Sequence, residues 1–172
     1  LTRLFANSEV PGFIHLSIGQ EAVAAGIASA LQPQDSLATT HRGHGHVLAR
    51  GIDVNGFMKE IMGREGGLCK GRGGSMHVAD LSLGILGANG IVGAGIPIAL
   101  GSAMAHQRRK NGGVAVAFFG DGAMAEGVAS PAAPWVIDAL LGAGVTLVVS
   151  LVIAADVQGS DPDAWAYLWA VG

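Results

Sequence analysis

Cysteine is almost missing from this chain: Cys69 is the only one in 172 residues. That excludes a disulfide framework and fits a reducing compartment, so a cytoplasmic location is expected. Aromatic side chains make up only 5% of the residues, too few for a platform on which single-stranded bases would stack. Charge is also sparse, at 13% of residues with a net value of −3 and no basic tract. A nucleic-acid partner is therefore not expected. Half of the residues are hydrophobic, which argues against disorder. Long unbroken hydrophobic runs are lacking too. The run 81–105 is interrupted by Asn89, Pro97 and repeated glycines, and the run 139–155 has 17 residues, the lower limit for a membrane span. Both read as buried core, and no membrane association is expected. Residues 1–9 lack the charged start and apolar centre of a signal peptide. The first residue is not Met, so an incomplete N-terminus is expected.

What the chain has in excess is glycine, 28 of 172 residues, against a usual share of roughly 7%. Tight turns and close backbone approaches follow. The length suits one domain, 1–172, with a real core. Residues 20–31 carry Val23, Ile27 and Leu31 at helical spacing. Residues 36–40 read as a short strand. Asp53 is placed to cap a helix whose apolar face is Phe57, Met58, Ile61 and Met62. A helix is expected from about Pro97 to Arg108-Arg109-Lys110, whose cations suit the negative end of its dipole. Strands alternating with helices predict an α/β layer fold with a mostly parallel sheet flanked by helices.

The most informative stretch is 114–127. Six apolar residues, Val114 to Phe119, lead into Gly120-Asp121-Gly122. A short apolar run closed by glycines reads as a strand buried on both faces. Its C-terminal end is where open α/β sheets bind ligands. Glycines let a phosphate approach the backbone, and one carboxylate suits Mg²⁺, which completes its shell with phosphate oxygens and water. The competing reading is a tight turn with a solvated Asp.

Other clusters carry weaker signals. His41, His44 and His46 read as a zinc cluster, as polar residues hydrogen-bonded in a turn, or as the lining of a cofactor channel. If 41–46 is a strand, His44 and His46 share a face that His41 does not. The stretch 90–95 lacks the third glycine of a dinucleotide loop, and 70–75 lacks the Gly-Lys-Ser/Thr ending of a phosphate loop. Cys69 reads as an inert loop or core residue, and His106 as a surface or packing residue.

Taken in order, five motifs form a more specific pattern. They are Gly12-Phe13-Ile14-His15-Leu16 with Gly19-Gln20-Glu21-Ala22; Thr40-His41-Arg42-Gly43-His44-Gly45; Lys70-Gly71-Arg72-Gly73-Gly74-Ser75-Met76-His77; Gly87-Ala88-Asn89-Gly90-Ile91-Val92-Gly93; and Gly120-Asp121-Gly122-Ala123. This series resembles the alpha subunit of the thiamine-diphosphate-dependent dehydrogenases that serve lipoamide complexes. The stretch 79–87 is most similar to the acetoin and bacterial pyruvate types and less to the branched-chain type.

The resemblance implies a thiamine-diphosphate-binding fold and the cofactors thiamine diphosphate and Mg²⁺. It makes Asp121 the metal ligand. Gly120, Gly122 and Ala123 would face the diphosphate, and Arg42, beside His41 in the cofactor segment, would contact a phosphate. Gly90 and Val92 would hold the aminopyrimidine ring through their backbone groups, and His15 and His44 would line the active-site channel. The implied reaction breaks a carbon–carbon bond in pyruvate or acetoin, with the cofactor ring as electron sink, and passes the acyl group to a lipoyl carrier. The implied partners are a beta subunit, in an α2β2 assembly, and a lipoyl-bearing acyltransferase.

The pattern stops after Val128. Counted without gaps, the family's second Mg²⁺-binding asparagine falls at Ser150. The fold is expected to be cut short, leaving an unpaired sheet edge. The tail 129–172, rich in Ala, Pro, Val and Gly, reads as a shifted reading frame on a family member. The other reading is a non-catalytic paralogue that keeps only subunit interactions.

Overall fold

The computed structural model describes residues 1–127 and the backbone of 147–152. The elements run α1 (Thr2–Ala6), α2 (Glu21–Ala30), β1 (Ser36–Thr40), α3 (His44–Ala49), α4 (Val54–Ile61), β2 (Ile85–Asn89), α5 (Gly95–Arg109), β3 (Ala115–Gly120) and β4 (Leu147–Val152). The sheet order is β2-β1-β3-β4, and every pairing is parallel. In β4 the Cα of residue 150 is in register with Phe118. The expected α/β fold with a parallel sheet is present. The expectations for the tail, apart from the β4 backbone, lie outside the described residues.

Alternation along the strands explains the layers, because successive side chains point to opposite faces. Leu37, Val116 and Phe118 point to one face, where Val47, Phe57, Ile61 and Val78 cover them. Ala38, Ala115, Ala117 and Phe119 point to the other, where Ile96, Ala99 and Ala103 of α5 cover them. Alanine on both sides of this second interface lets α5 lie close to the sheet. A Cβ on Gly95 would meet the Ala38 Cβ at 3.7 Å. Ala115 to Phe119 are all buried, as a strand covered on both faces requires.

Asp53 caps α4 as its sequence position predicts, its Oδ2 accepting from Gly56 N–H at 2.7 Å. Helix α5 begins at Gly95, with Pro97 in its first turn. Two features differ from the sequence reading. Residues 44–49 form a helix rather than a strand, so the face assignment for His44 and His46 does not hold. Strand β2 has no mark in the sequence. Among the described residues it lies at the edge of the sheet, beside β1, and Gly87 within it takes φ 138°.

The N-terminal end of the sheet is fastened by buried polar groups. Asp35, 4% exposed, accepts from Gln32 N–H and from Val114 N–H, both at 2.7 Å. Ser36 Oγ lies 2.7 Å from Ser102 Oγ and 3.1 Å from His106 Nε2. His106 is thus a buried packing residue that ties α5 to β1.

Candidate functional site

A cavity of about 240 Å³ opens at the C-terminal ends of β1, β2 and β3, the end at which α/β sheets receive ligands. The loop after β1 contributes Thr40, His41 and Arg42. The segment after β2 contributes Asn89, Ile91, Val92 and Gly93. The end of β3 and the turn after it contribute Phe118 to Ala123. Gln20 and His46 complete the lining.

The corner after β3 has the features of an anion site. Gly120 ends the strand in extended conformation, and a 3-10 turn starts at Asp121. The first N–H groups of such a turn have no partner within it. A Cβ added at Gly120 or Gly122 would meet nothing within 4 Å, so open space lies over this backbone. Asp121 is exposed, and no described residue donates a hydrogen bond to its carboxylate. Arg42 sits across the cavity. Its Nη1 donates to the Leu16 carbonyl at 2.8 Å, which fixes the guanidinium plane and leaves its other donors for a ligand.

The histidines separate into three environments. His41 lines the cavity and meets His15 edge-on, ring centroids 4.7 Å apart. Burial lowers the pKa of His41, and the neighbouring His15 and Arg42 lower it further. His15 Nδ1 is buried without a hydrogen-bond partner among the described residues. His44 is outside the lining. Its Nε2–H donates to Ser75, 2.8 Å from Oγ and 3.2 Å from the carbonyl, and its ring meets Phe57 edge-on. Burial lowers its pKa as well. His46 is 4% exposed, lies flat on Phe118 and shares a 2.7 Å hydrogen bond with Thr39 Oγ1. Burial pushes its pKa down to about 4, so the ring is neutral. Among the described residues no three His, Cys, Asp or Glu side chains converge on a metal position, which removes the support for a zinc cluster.

The glycine-rich loop holds an anion from inside the chain. Glu60 Oε2 accepts from the N–H groups of Cys69 and Gly71 at 2.7 and 2.8 Å. Oε1 accepts from those of Gly73 and Gly74 at 2.6 and 3.1 Å. Glu60 is fully buried. Burial alone pushes its pKa up, but the four backbone donors outweigh that and hold it below the ordinary carboxylate value. This explains why the loop carries glycines without the sequence of a phosphate loop.

Of the residues named from sequence, the structure brings His41, Arg42, Val92, Gly120, Asp121, Gly122 and Ala123 into one cavity lining. Gly90 adjoins the lining, His15 reaches it through His41, and His44 stands behind it. Gln20, Thr40, Asn89, His46 and Phe118 also line it. All but Phe118 belong to, or directly follow, the quoted motifs, but a motif does not say which of its side chains turn inward.

Fold and cavity together define an α/β protein with an open, glycine-lined corner at its strand ends. The chain belongs to the dehydrogenase E1 component family, whose profile matches residues 1–134. The alpha subunit of acetoin:2,6-dichlorophenolindophenol oxidoreductase from Bacillus subtilis is 55% identical over 124 residues, covering 72% of this chain and 37% of that protein. The pyruvate dehydrogenase E1 component subunit alpha of Zymomonas mobilis is 48% identical over 126 residues, covering 73% of this chain and 36% of that protein. The mitochondrial pyruvate dehydrogenase E1 alpha subunit of Saccharomyces cerevisiae is 43% identical over 124 residues, covering 72% and 29%. The match thus spans between 29 and 37% of the length of these relatives.

Membership in this family implies thiamine diphosphate. The residues present fit its diphosphate end: an open glycine corner, free turn N–H groups and an oriented guanidinium face one cavity.

Proposed function

We propose that this chain supplies the diphosphate-binding half of a thiamine-diphosphate dehydrogenase active site. The observation that carries the reading is the convergence of Arg42, Asp121 and the open Gly120 and Gly122 backbone on one cavity at the strand ends. In this reading Asp121 would hold Mg²⁺, and Arg42 and the N–H groups of Gly122 and Ala123 would take the phosphate oxygens. Gly90 and Val92 hold the aminopyrimidine through their backbone groups. His41, in the cofactor segment, stays neutral beside the guanidinium. His15, edge-on against His41, and His44, held by Ser75, form the channel wall behind the lining. The bound cofactor supplies the electron sink for carbon–carbon cleavage in pyruvate or acetoin.

The site is completed by a beta subunit in an α2β2 assembly, and the acyl group leaves on the lipoyl arm of an acyltransferase. Exposed apolar side chains in and near the lining support a partner chain there: Ile18, Ile91 and Met124 are 79, 67 and 55% exposed. The single cysteine supports a cytoplasmic assembly. No helix among the described residues is long and apolar enough to cross a membrane.

One observation favours a second reading. Residue 150 is Ser, where an ungapped count puts the family's second Mg²⁺-binding asparagine. A non-catalytic paralogue would associate with the beta subunit and take up no cofactor. Co-expression with a beta subunit, followed by assay of pyruvate and acetoin cleavage, separates the two. Turnover that is lost in Asp121→Ala supports the enzyme, and association without turnover or cofactor supports the paralogue.

A further inference from the structure

The buried carboxylate of Glu60 is not part of the cavity, yet chains of bonds run from it to the cavity wall. Gly73, whose N–H donates to Glu60, accepts from His77 Nδ1–H at 3.3 Å through its carbonyl. The other edge of that imidazole faces Gly90, where an added Cβ would lie 3.7 Å from His77 Nε2. One residue further on, the Val78 carbonyl accepts from Ala88 N–H at 2.8 Å and ties the loop to β2. Ala88 is followed by the segment 89–93, which forms one side of the cavity. Gly74, the fourth donor, leads into Ser75, which holds His44.

Nothing else described fixes this loop so firmly. Gly71 takes φ +71°. Four N–H groups point at one carboxylate, as in the backbone concavities that bind free anions. We propose that Glu60 is the positioning residue for the β2-side wall of the cavity, acting through the glycine-rich loop on residues 89–93. It acts on the ring end of the bound ligand and leaves the diphosphate corner after β3 untouched, because that corner is held by β3 and α5. The inference rests on the proposed function for the identity of the ring-bearing ligand.

The test compares two probes on the full chain, in the assembly in which it purifies. Mg²⁺ with inorganic pyrophosphate reads the corner at Gly120–Ala123 together with Arg42, and Mg²⁺ with thiamine diphosphate reads these and the wall. Calorimetric titration of Glu60→Gln is expected to weaken thiamine diphosphate about tenfold and to change pyrophosphate by less than about twofold. Glu60→Asp, which keeps the carboxylate, is expected to recover part of the loss. If Glu60→Gln does not fold, His77→Ala cuts the linkage one step nearer the cavity and should show the same split. An equal loss for both probes would overturn the positioning role while leaving the diphosphate site standing. Failure of the unaltered assembly to bind either probe would overturn both.

Discussion

The imidazole of His46 lies on the ring of Phe118 with centroids 3.7 Å apart and planes 14° from parallel. This stack forms part of the cavity lining, and its burial disfavours the charged form of His46. Burial holds the pKa of His46 at about 4, against an ordinary value of 6.5. The unfolded chain therefore takes up a proton that the folded chain refuses. The contribution is complete above about pH 6.5 and lost as pH falls towards 4. From the size of the shift it amounts to roughly 3 kcal/mol. His41 and His44, also lowered, act in the same direction. Urea unfolding between pH 7 and 4 should show a falling midpoint, and His46→Phe should flatten that dependence.

Gly122 has room for a side chain, since a Cβ there meets nothing within 4 Å. Gly122→Ala should therefore leave thermal stability within about 0.5 kcal/mol of the parent. The new methyl group would stand in the open corner proposed for the diphosphate, and binding of Mg²⁺-thiamine diphosphate should weaken about tenfold or more. Thermal unfolding and titration on the same sample check both halves.

Much of this corner is legible in the sequence because its signals are local. An apolar run ending in Gly-Asp-Gly is enough to propose a buried strand and a site at its end. The strand at 36–40 delivers Arg42 by the same logic. The opposite side is not legible. Strand β2 is short, punctuated by Gly87, and paired with one neighbour, so neither alternation nor a β-branched run marks it. The helix at 44–49 contains Gly45 and two histidines, which disguise it. Glu60 looks like any helical glutamate until the loop nine to fourteen residues later folds back and donates to it.

That fold-back makes Glu60 costly to remove. Glu60→Ala leaves four part-buried N–H groups without their acceptor, an expected loss of about 3–5 kcal/mol. Because the folded pKa of Glu60 lies below the ordinary value, its contribution is present at neutral pH and lost as pH falls through that lowered value. Denaturant unfolding at neutral and acid pH should show the variant's deficit shrinking with acidity.

The alanine interface under α5 leaves no spare volume: Ala99 and Ala117 are both fully buried. Ala117→Leu should cost about 1–3 kcal/mol by forcing α5 away from the sheet. Ser36→Ala, at the far end of the same interface, removes the hydrogen bond to His106 and should cost about 1–2 kcal/mol. Ser36→Ala should leave ligand binding unchanged, because the cavity lies at the other end of the strands. Unfolding midpoints paired with titrations distinguish the two effects.

The central claim is that Asp121 carries the metal that holds a diphosphate in this cavity. The most direct measurement is calorimetric titration of thiamine diphosphate into the assembly, with and without Mg²⁺, for the parent and for Asp121→Ala. The account predicts binding in the parent that requires Mg²⁺ and falls at least a hundredfold in the variant, with unchanged unfolding. Equal, metal-independent affinity in the two proteins would contradict it.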